Sequence, residues 1–393
     1  MTDDNPPIGQ GPDQGTGEVV DPTSDEGDRK DAARRTRIGR RREGTGRPRG
    51  FIRRHKALLA LGVILLVIAG FAGGYLWKIN QKLDSIPRVD ADITPAPEKE
   101  QQEENHPLNI LLLGADHGNV GQSVAEDLED GEWTQGAHLS DTIILVHIPA
   151  DRQSVQLVSI PRDTWTKIEG YPSDNGRAKI NAAFSYGGPA LAVKTVEGLT
   201  GITIDHLAII DWVGFKDLTT ALGGVRVYIP ETFEDESQNV TWKKGWETLE
   251  GEVALQYVRT RYGLDDGDFG RIARQQNFMR ATMAKLLSGG TTRNPVQIYK
   301  VVDVIAEYLT VDDSWDTREI RDLALGMRSI KTENVEFLTA PLGRYDTSRD
   351  GQSIVRLAPK QSDALFAAIT EEDISGYLAK YPDESLDDPT SVN

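Results

Sequence analysis

The chain contains no cysteine in 393 residues. That removes a disulfide scaffold, Cys-ligated zinc, iron–sulfur clusters and a thiol nucleophile together. Histidine is scarce as well: His55, His106, His117, His138, His147 and His206 are scattered, and none forms a pair at helical ligand spacing, which argues against zinc. Also missing are G-x-x-x-x-G-K-[ST], G-x-S-x-G, H-E-x-x-H and a G-x-G-x-x-G after a strand. Positive charge is in deficit, 44 Lys+Arg against 61 Asp+Glu for a net of −17, which argues against nucleic acid as a partner of the folded part.

The deficit is uneven. Residues 1–28 carry eight acidic groups and no Lys or Arg, residues 29–56 carry thirteen Lys+Arg against two acidic groups, and the chain from Lys78 onward nets −20. Between the last two lies Ala57–Trp77 (ALLALGVILLVIAGFAGGYLW), 21 residues without a charge. As a helix this run is about 30 Å long and matches the hydrocarbon core of a bilayer. The leader before it is too long for an ordinary signal-peptide n-region. A single uncleaved anchor is therefore expected over 57–77, in preference to a core helix or a cleaved signal. The basic flank puts residues 1–56 in the cytoplasm and the rest outside the cell membrane.

Residues 1–56, rich in Gly, Pro, Asp, Thr and Arg, lack the large apolar groups needed for a core and are expected to be a disordered cytoplasmic tail. The Arg-rich part from residue 29 reads as a topology signal lying on anionic headgroups. Residues 78–106, with Pro87, Pro95 and Pro97, read as a stalk. From residue 107 to about 370 apolar runs alternate with helical patterns. The runs are 109–114, 141–148, 154–160, 203–211, 225–229 and 335–340; the helical patterns are 189–199, 213–222, 249–257, 271–287, 295–309 and 317–330. The alternation predicts an α/β class: a three-layer α/β/α sandwich with a mainly central β-sheet. Residues 371–393 are left as a C-terminal tail.

Chemistry-bearing residues gather at the ends of the expected strands, where open α/β sheets bind ligands. The first ends in Gly114-Ala115-Asp116, the second begins Ser140-Asp141-Thr142, and the third runs into Pro161-Arg162-Asp163. Asp116 and Asp141 are hard oxygen donors that suit Mg²⁺, with turn or cap roles as the plain alternative. A denser cluster holds Arg259, Arg261, Asp266, Asp268, Arg271, Arg274 and Gln275. Arg271 and Gln275 share a helix face at i,i+4, with Arg271 expected in the first turn beside Gly270. Arg259 and Arg261, two apart, point to one side of an extended segment. Four guanidiniums in sixteen residues reverse the local sign of an acidic domain. Salt bridges to Asp265, Asp266 and Asp268 are one explanation; a polyphosphate ligand, gripped by arginine forks, is a better one. Lys179, before Asn181 and near Gly187-Gly188, adds a further cation. The acidic stretch 126–132 (EDLEDGE) reads as a solvated loop.

Taken together, NILLLGAD (109–116), SDT (140–142), SIPRDTW (159–165), KINAAFSYGG (179–188), ALGGV (221–225) and LEGEVALQYVRTRYGLDDGDFGRIARQQ (249–276) resemble the LytR–CpsA–Psr family of bacterial cell-envelope enzymes. The resemblance covers roughly residues 107–342. It implies a phosphotransferase that moves a glycopolymer from a polyprenyl-pyrophosphate carrier to peptidoglycan, at the 6-hydroxyl of N-acetylmuramic acid, with Mg²⁺ (or Mn²⁺) at the pyrophosphate and the lipid in an apolar channel. By position, Asp116 and Asp141 are then the metal ligands. Arg162, Lys179, Arg259, Arg261, Arg271, Arg274 and Gln275 hold the pyrophosphate, and Arg259, Arg261, Arg271 and Asp163 form the catalytic set, with Asp163 or Asp268 orienting arginines or acting as base. Leu139, preceded by His138, stands where the family often has Arg. The composition points to an actinobacterial source, with arabinogalactan, teichoic acid and capsule as candidate polymers. Two other functions use the same residues: a polyprenyl-pyrophosphate hydrolase, and a non-catalytic wall-binding or regulatory membrane protein.

Overall fold

The run Asn109–Gly114 becomes the centre of a sheet because its side chains are apolar on both faces. Strand β2 (Leu108–His117) sends Leu111, Leu113 and Ala115 to one side and Leu108 and Ile110 to the other, and all five are buried. Such two-sided apolar runs mark a strand covered by helices on both faces. Leu111, Leu145 and Leu207 are fully buried, each contributing about 1.5–3 kcal/mol.

The computed structural model describes residues 49–93, 106–117, 133–136, 138–260 and 267–391, with side chains from Leu65 onward except at 116–117, 267–269 and 328. Leu65–Asn393 form one compact unit. Helix α1 is Arg49–Asp84. Among the described residues no helix is long and apolar enough to cross a membrane; residues 1–48, and the side chains of 57–64 within the expected anchor, lie outside the description.

The fold is mixed α/β around a central mixed sheet of seven strands. With β1 (Arg88–Val89), β3 (His138–Ile148), β4 (Val155–Ser159), β7 (His206–Asp211), β12 (Leu309–Asp312) and β13 (Val335–Thr339), the order is β1-β12-β7-β2-β3-β4-β13. Strands β2 and β7 pair in parallel, as do β4 and β13, while β3 is antiparallel to both of its neighbours. The C-terminal ends of β2, β4, β7 and β13 therefore share one edge with the start of β3.

One face of the sheet packs on α2 (Asn181–Thr200), α8 (Pro359–Thr370) and α9 (Ile374–Lys380). The other packs on the end of α1, α5 (Gly267–Leu287), α6 (Pro295–Tyr308) and α7 (Thr317–Gly326). A third cluster joins α3 (Trp212–Ala221), α4 (Gly251–Arg259) and α5 to β8 (Val225–Ile229), β9 (Phe233–Asp235), β10 (Val240–Trp242) and β11 (Gly245–Leu249). Strand β8 forms as expected but, among the described residues, pairs with β11 outside the seven-stranded sheet. Two short hairpins, β5–β6 (Trp165–Lys167, Arg177–Lys179) and β14–β15 (Leu342–Thr347, Ser353–Leu357), complete the edge near the site.

Three boundaries move. The expected stalk is built into the domain over its first part: Leu83, Ile86, Val89 and Ala91 are buried, and β1 joins the sheet beside β12. The backbone of β1 pairs with what is otherwise an open sheet edge at β12; residues 94–105 lie outside the description. The expected C-terminal tail also packs: Tyr377 is buried, and Leu386 N donates to Phe337 O. Helix α2 starts at Asn181 and kinks at Gly187-Gly188, the turn of helix expected from Pro189 being its second half. Gly188 has φ +70° and lies against Trp133, where a Cβ would sit 3.1 Å from the ring.

Candidate active site

The shared edge of β2, β3, β4 and β7 carries the first cluster. Pairing along β2–β3 runs in step up to Gly114↔Thr142 and resumes at Ala115↔Ser140, so Asp141 is the extra residue of a β-bulge. A bulge re-aims its side chain, and bulges recur beside active sites. Gly114 permits the close approach, since a Cβ there would lie 2.9 Å from Thr142 Cβ. On the other side of β2, Ala115 pairs with Asp211, whose carboxylate caps α3 by accepting from Gly214 N at 2.7 Å.

The loop after β4 is pinned by backbone bonds: Ile160 N to Ile143 O at 2.8 Å, Asn181 N to Arg162 O at 3.2 Å, and Val355 N to Asp163 O at 2.9 Å. It delivers Arg162 to Asp141, with Nη1 to Oδ1 at 2.6 Å. Arg162 Nε lies 3.5 Å from Asp163 Oδ2, and Asp163 Oδ1 lies 2.7 Å from Lys179 Nζ. Asp141, Arg162, Asp163 and Lys179 thus form one alternating chain of charges, 17–23% exposed. Pairs this far from bulk water are screened less than surface pairs, which contribute about 0–1 kcal/mol.

Helix α5 closes the site from above. Asp141, Thr142, Arg162, Arg271 and Gln275 line one small cavity with Ser159 and Ile160. Arg271 is 4% exposed. It lies in the second turn of α5, not the first, because the helix begins at Gly267. Gln275 Nε2 donates to Val258 O at 3.3 Å. Next to it, Gln276 Nε2 reaches Ser159 Oγ (3.0 Å), Leu338 O (2.8 Å) and Thr339 Oγ1 (2.9 Å), tying α5 to the ends of β4 and β13. The sequence signalled no role for Gln276; its partners are more than sixty residues away along the chain.

The remaining arginines divide. Arg259 ends α4, so it is helical and not on an extended segment. Its guanidinium sits 4.5 Å from the ring centre of Trp212, the first residue of α3. A cation over Trp is held by the ring quadrupole. Arg274, expected at the pyrophosphate, is instead committed to the fold. It is 1% exposed, donates from Nη2 to Thr260 O at 2.7 Å, and lies 5.9 Å from the Phe233 ring. Three residues along the helix it lies beside Arg271 by spacing, and it is its bond to Thr260 O and its contact with Phe233 that direct its guanidinium. Thr260 is a hub, its hydroxyl met by Trp242 Nε1 and Gln238 Nε2, both at 3.2 Å. Gln238 and Ser237 also bond the buried Asp235, and their hydrogen bonds hold its carboxyl below the usual range against the upward push of burial. Burial pushes the nearby Tyr257 hydroxyl up to about 12, opposed by Arg274.

Arg261, Asp265 and Asp266 lie outside the described residues, as do the side chains of Asp116 and Asp268 and the acidic stretch 126–132. Leu139 is 46% exposed, and His138 beside it is buried against Trp133, their ring centres 5.3 Å apart.

The described carboxylate of this cavity is of the donor type that Mg²⁺ takes. Asp141 is a hard carboxylate, aimed by the bulge into the cavity that Arg162 and Arg271 share, with no imidazole or thiolate in the lining. Among the described residues no group of three or more His, Asp or Glu stands ready to hold an ion alone. Mg²⁺ does not require one, because it keeps waters and takes phosphate oxygens as ligands.

Comparisons with known proteins show which family the chain belongs to. The cell wall biosynthesis protein LcpA of Corynebacterium glutamicum is 30% identical over 316 residues, 72% of this chain and 58% of LcpA. The polyisoprenyl-teichoic acid–peptidoglycan teichoic acid transferase TagU of Enterococcus faecalis is 32% identical over 270 residues, 68% of this chain and 80% of TagU. The crystal structure of B. subtilis TagV superposes with a TM-score of 0.56 at 26% identity, covering 69% of this chain and 98% of TagV. The LytR_cpsA_psr profile matches residues 75–370, a span that starts within α1, takes in the bulge, the charge chain and the α5 arginines, and ends with α8; the chain belongs to the LytR_cpsA_psr family.

Proposed function

We propose that this chain is a membrane-anchored phosphotransferase that moves a glycopolymer from a polyprenyl-pyrophosphate carrier to the muramic acid 6-hydroxyl of peptidoglycan. The observation that carries the reading is the cavity where Arg162, Arg271, Gln275 and Asp141 converge at the C-terminal ends of the strands. The name of TagU adds support, since it describes transfer of a polyisoprenyl-linked teichoic acid to peptidoglycan.

Phosphoryl transfer asks a protein for positioning and charge neutralisation more than for covalent chemistry. Arg162 and Arg271 bind the pyrophosphate oxygens with charge-assisted bonds, and the Gln275 amide orients one of them. Both oxygens of Asp163 are engaged by cations, so it aims Arg162 and Lys179. Arg259, resting on Trp212, together with Arg261 adds positive charge where the leaving polyprenyl phosphate gains negative charge. Asp141 and Asp116 would hold Mg²⁺ or Mn²⁺, which when bound neutralises pyrophosphate charge.

The placement in the cell membrane rests on α1. Leu65, Leu66, Val67 and Ile68 are consecutive, so they point around the whole helix, and all are at least 51% exposed; Phe71, Leu76 and Trp77 are also exposed. An apolar surface on every side of a helix suits lipid better than water. The proposed arrangement is thus a cytoplasmic N-terminal segment whose last residues, from Arg49, already belong to α1, an anchor over 57–77 and a three-layer α/β/α catalytic domain outside.

The test is transfer of a lipid-linked polymer to peptidoglycan by the full chain and by Arg271→Ala and Arg271→Lys. Loss of a preorganised donor to transition-state charge costs about 10²–10³ in rate. Full transfer by both variants, folded as judged by circular dichroism, overturns the assignment. Phosphate release that is indifferent to peptidoglycan identifies a hydrolase instead.

A further inference from the structure

Lys179 has a second side. Besides closing the charge chain on Asp163, it lines a separate cleft of about 540 Å³ that the pyrophosphate chemistry does not use. This volume falls among those of small-ligand sites, about 300–1,000 Å³. Three elements build it, two of them adjacent in sequence and the third much further along the chain. The first wall is one face of the β5–β6 hairpin: Trp165 pairs with Lys179 and Lys167 with Arg177, so Trp165, Arg177 and Lys179 stand on the same face, while Thr166 and Ala178 on the opposite face are buried. The floor is the start of α2, with Asn181 and Ser185. The far wall is the turn between β14 and β15, with Asp350 and Gln352. Arg349 reaches from this turn to Asp174 in the hairpin loop, Nε to Oδ1 at 3.6 Å.

The cleft is preformed. Ile168 N donates to Gly176 O at 2.7 Å, Ser348 N to Gln352 O at 2.9 Å, and Thr164 bridges to Val355, joining hairpin to hairpin. Tyr171 is braced edge-on by Tyr186, with ring centres 5.4 Å apart.

The lining selects a ligand class. Two aromatic rings, Trp165 and Tyr171, stand among carboxylates (Asp174, Asp350), amides (Asn181, Gln352) and cations (Arg177, Lys179, Arg349). Donors and acceptors are mixed, and the charges of both signs nearly balance, so the cleft is not a dedicated anion site. A neutral, polyhydroxylated ring uses all of these groups together. Its hydroxyls give and take hydrogen bonds with planar polar side chains, and its C–H face stacks on the aromatic rings. The one ion pair across the cleft, from a side chain 81% exposed, is weak enough for hydroxyls to replace.

We infer that the cleft between the β5–β6 hairpin, the start of α2 and the β14–β15 turn is a glycan subsite, holding pyranose rings next to the reacting phosphate, with Lys179 shared between the two. The identity of the glycan rests on the transferase reading above. The sugar belongs to the incoming peptidoglycan strand or to the carried polymer; both offer the same chemistry.

The experiment uses the full chain in detergent micelles with Tyr171→Ala, Gln352→Ala and, as a conservative partner, Tyr171→Phe. Binding of soluble, uncrosslinked peptidoglycan glycan chains is titrated by calorimetry, and KM is measured for acceptor and for lipid-linked donor. Both alanine variants should weaken glycan binding or raise one KM about tenfold, the loss of one good contact, with Tyr171→Phe keeping most of the stacking. A rise confined to the acceptor assigns the cleft to the peptidoglycan strand; a rise confined to the donor assigns it to the carried polymer. Unchanged binding and unchanged KM values in folded Tyr171→Ala and Gln352→Ala overturn the inference. Absence of turnover by the wild-type chain counts against the transferase reading alone, since the titration still judges the cleft.

Discussion

Arg162 Nη1 lies 2.6 Å from Asp141 Oδ1, joining the loop after β4 to the one bulged residue of β3. Asp141 therefore has two suitors, the guanidinium and the proposed divalent cation. Asp141→Asn keeps the shape but removes the charge. It should shift the Mg²⁺ concentration for half-maximal transfer upward by about tenfold or more, in the range seen when a metal site loses part of its support. A titration of activity against Mg²⁺ checks this, and an unshifted curve removes Asp141 from the metal site.

The charge chain should behave as a unit. Asp163 contacts both Arg162 and Lys179, so Asp163→Asn and Lys179→Met are expected to be strongly non-additive in kcat/KM. Contacting residues typically couple by about 0.5–3 kcal/mol. A double variant whose loss equals the product of the single losses would show that the two act independently.

Gln276→Leu is expected to lower stability by about 1–3 kcal/mol, because it strips an amide from three acceptors of which Leu338 O is buried. Urea unfolding gives the stability. The same variant should also lose transfer, since Gln276 fixes the helix that carries Arg271 and Gln275. Wild-type activity at reduced stability would separate the two roles.

Much of this was legible in the sequence. Asn109–Gly114 announced a central strand through its unbroken apolar run, and Arg271 and Gln275 announced a shared face through their spacing. What stayed hidden depends on long-range contact. No local pattern says that Asp141 is a bulge, since that is a property of two strands in register. Nothing in Arg274 itself distinguishes a fold-holding arginine from a ligand-binding one; Thr260 O and Phe233 do so. Trp212 carries Arg259 only because α3 and α4 pack together. Over 78–93 the stalk expectation gives way to packing, because Ile86, Val89 and Ala91, spaced among Pro87 and the charges, are buried only through contacts with distant strands.

Acid should loosen the sheet through His147. Asn109 Nδ2 donates to Thr203 O, which leaves Asn109 Oδ1 to accept from His147 Nδ1 at 2.7 Å. Nε2 is buried with no hydrogen-bond partner among the described residues. Burial pushes the imidazole down to about 4, assisted by Arg152 and opposed by Glu372. The folded value lies below the unfolded one of about 6.5. The unfolded state therefore binds the proton first, and stability is full above the unfolded value and falls as pH drops towards 4. Each pH unit in that window removes at most about 1.4 kcal/mol. Thermal melts between pH 7.5 and 4.5 should show this loss, and His147→Leu should flatten it whatever its stability at neutral pH. An equal slope in the variant assigns the acid effect elsewhere.

Only Ser85, Ile86 and Pro87 separate the end of α1 from β1, and Ile86 is buried. For a chain held in a bilayer by residues 57–77, this makes a short leash with little swivel. In the proposed arrangement, enzyme and lipid-linked donor would move in one plane, and their meeting would be a search across an area. The pace would then depend on how many carrier lipids occupy each patch of leaflet, and the wall polymer would have to come down to the membrane to be modified.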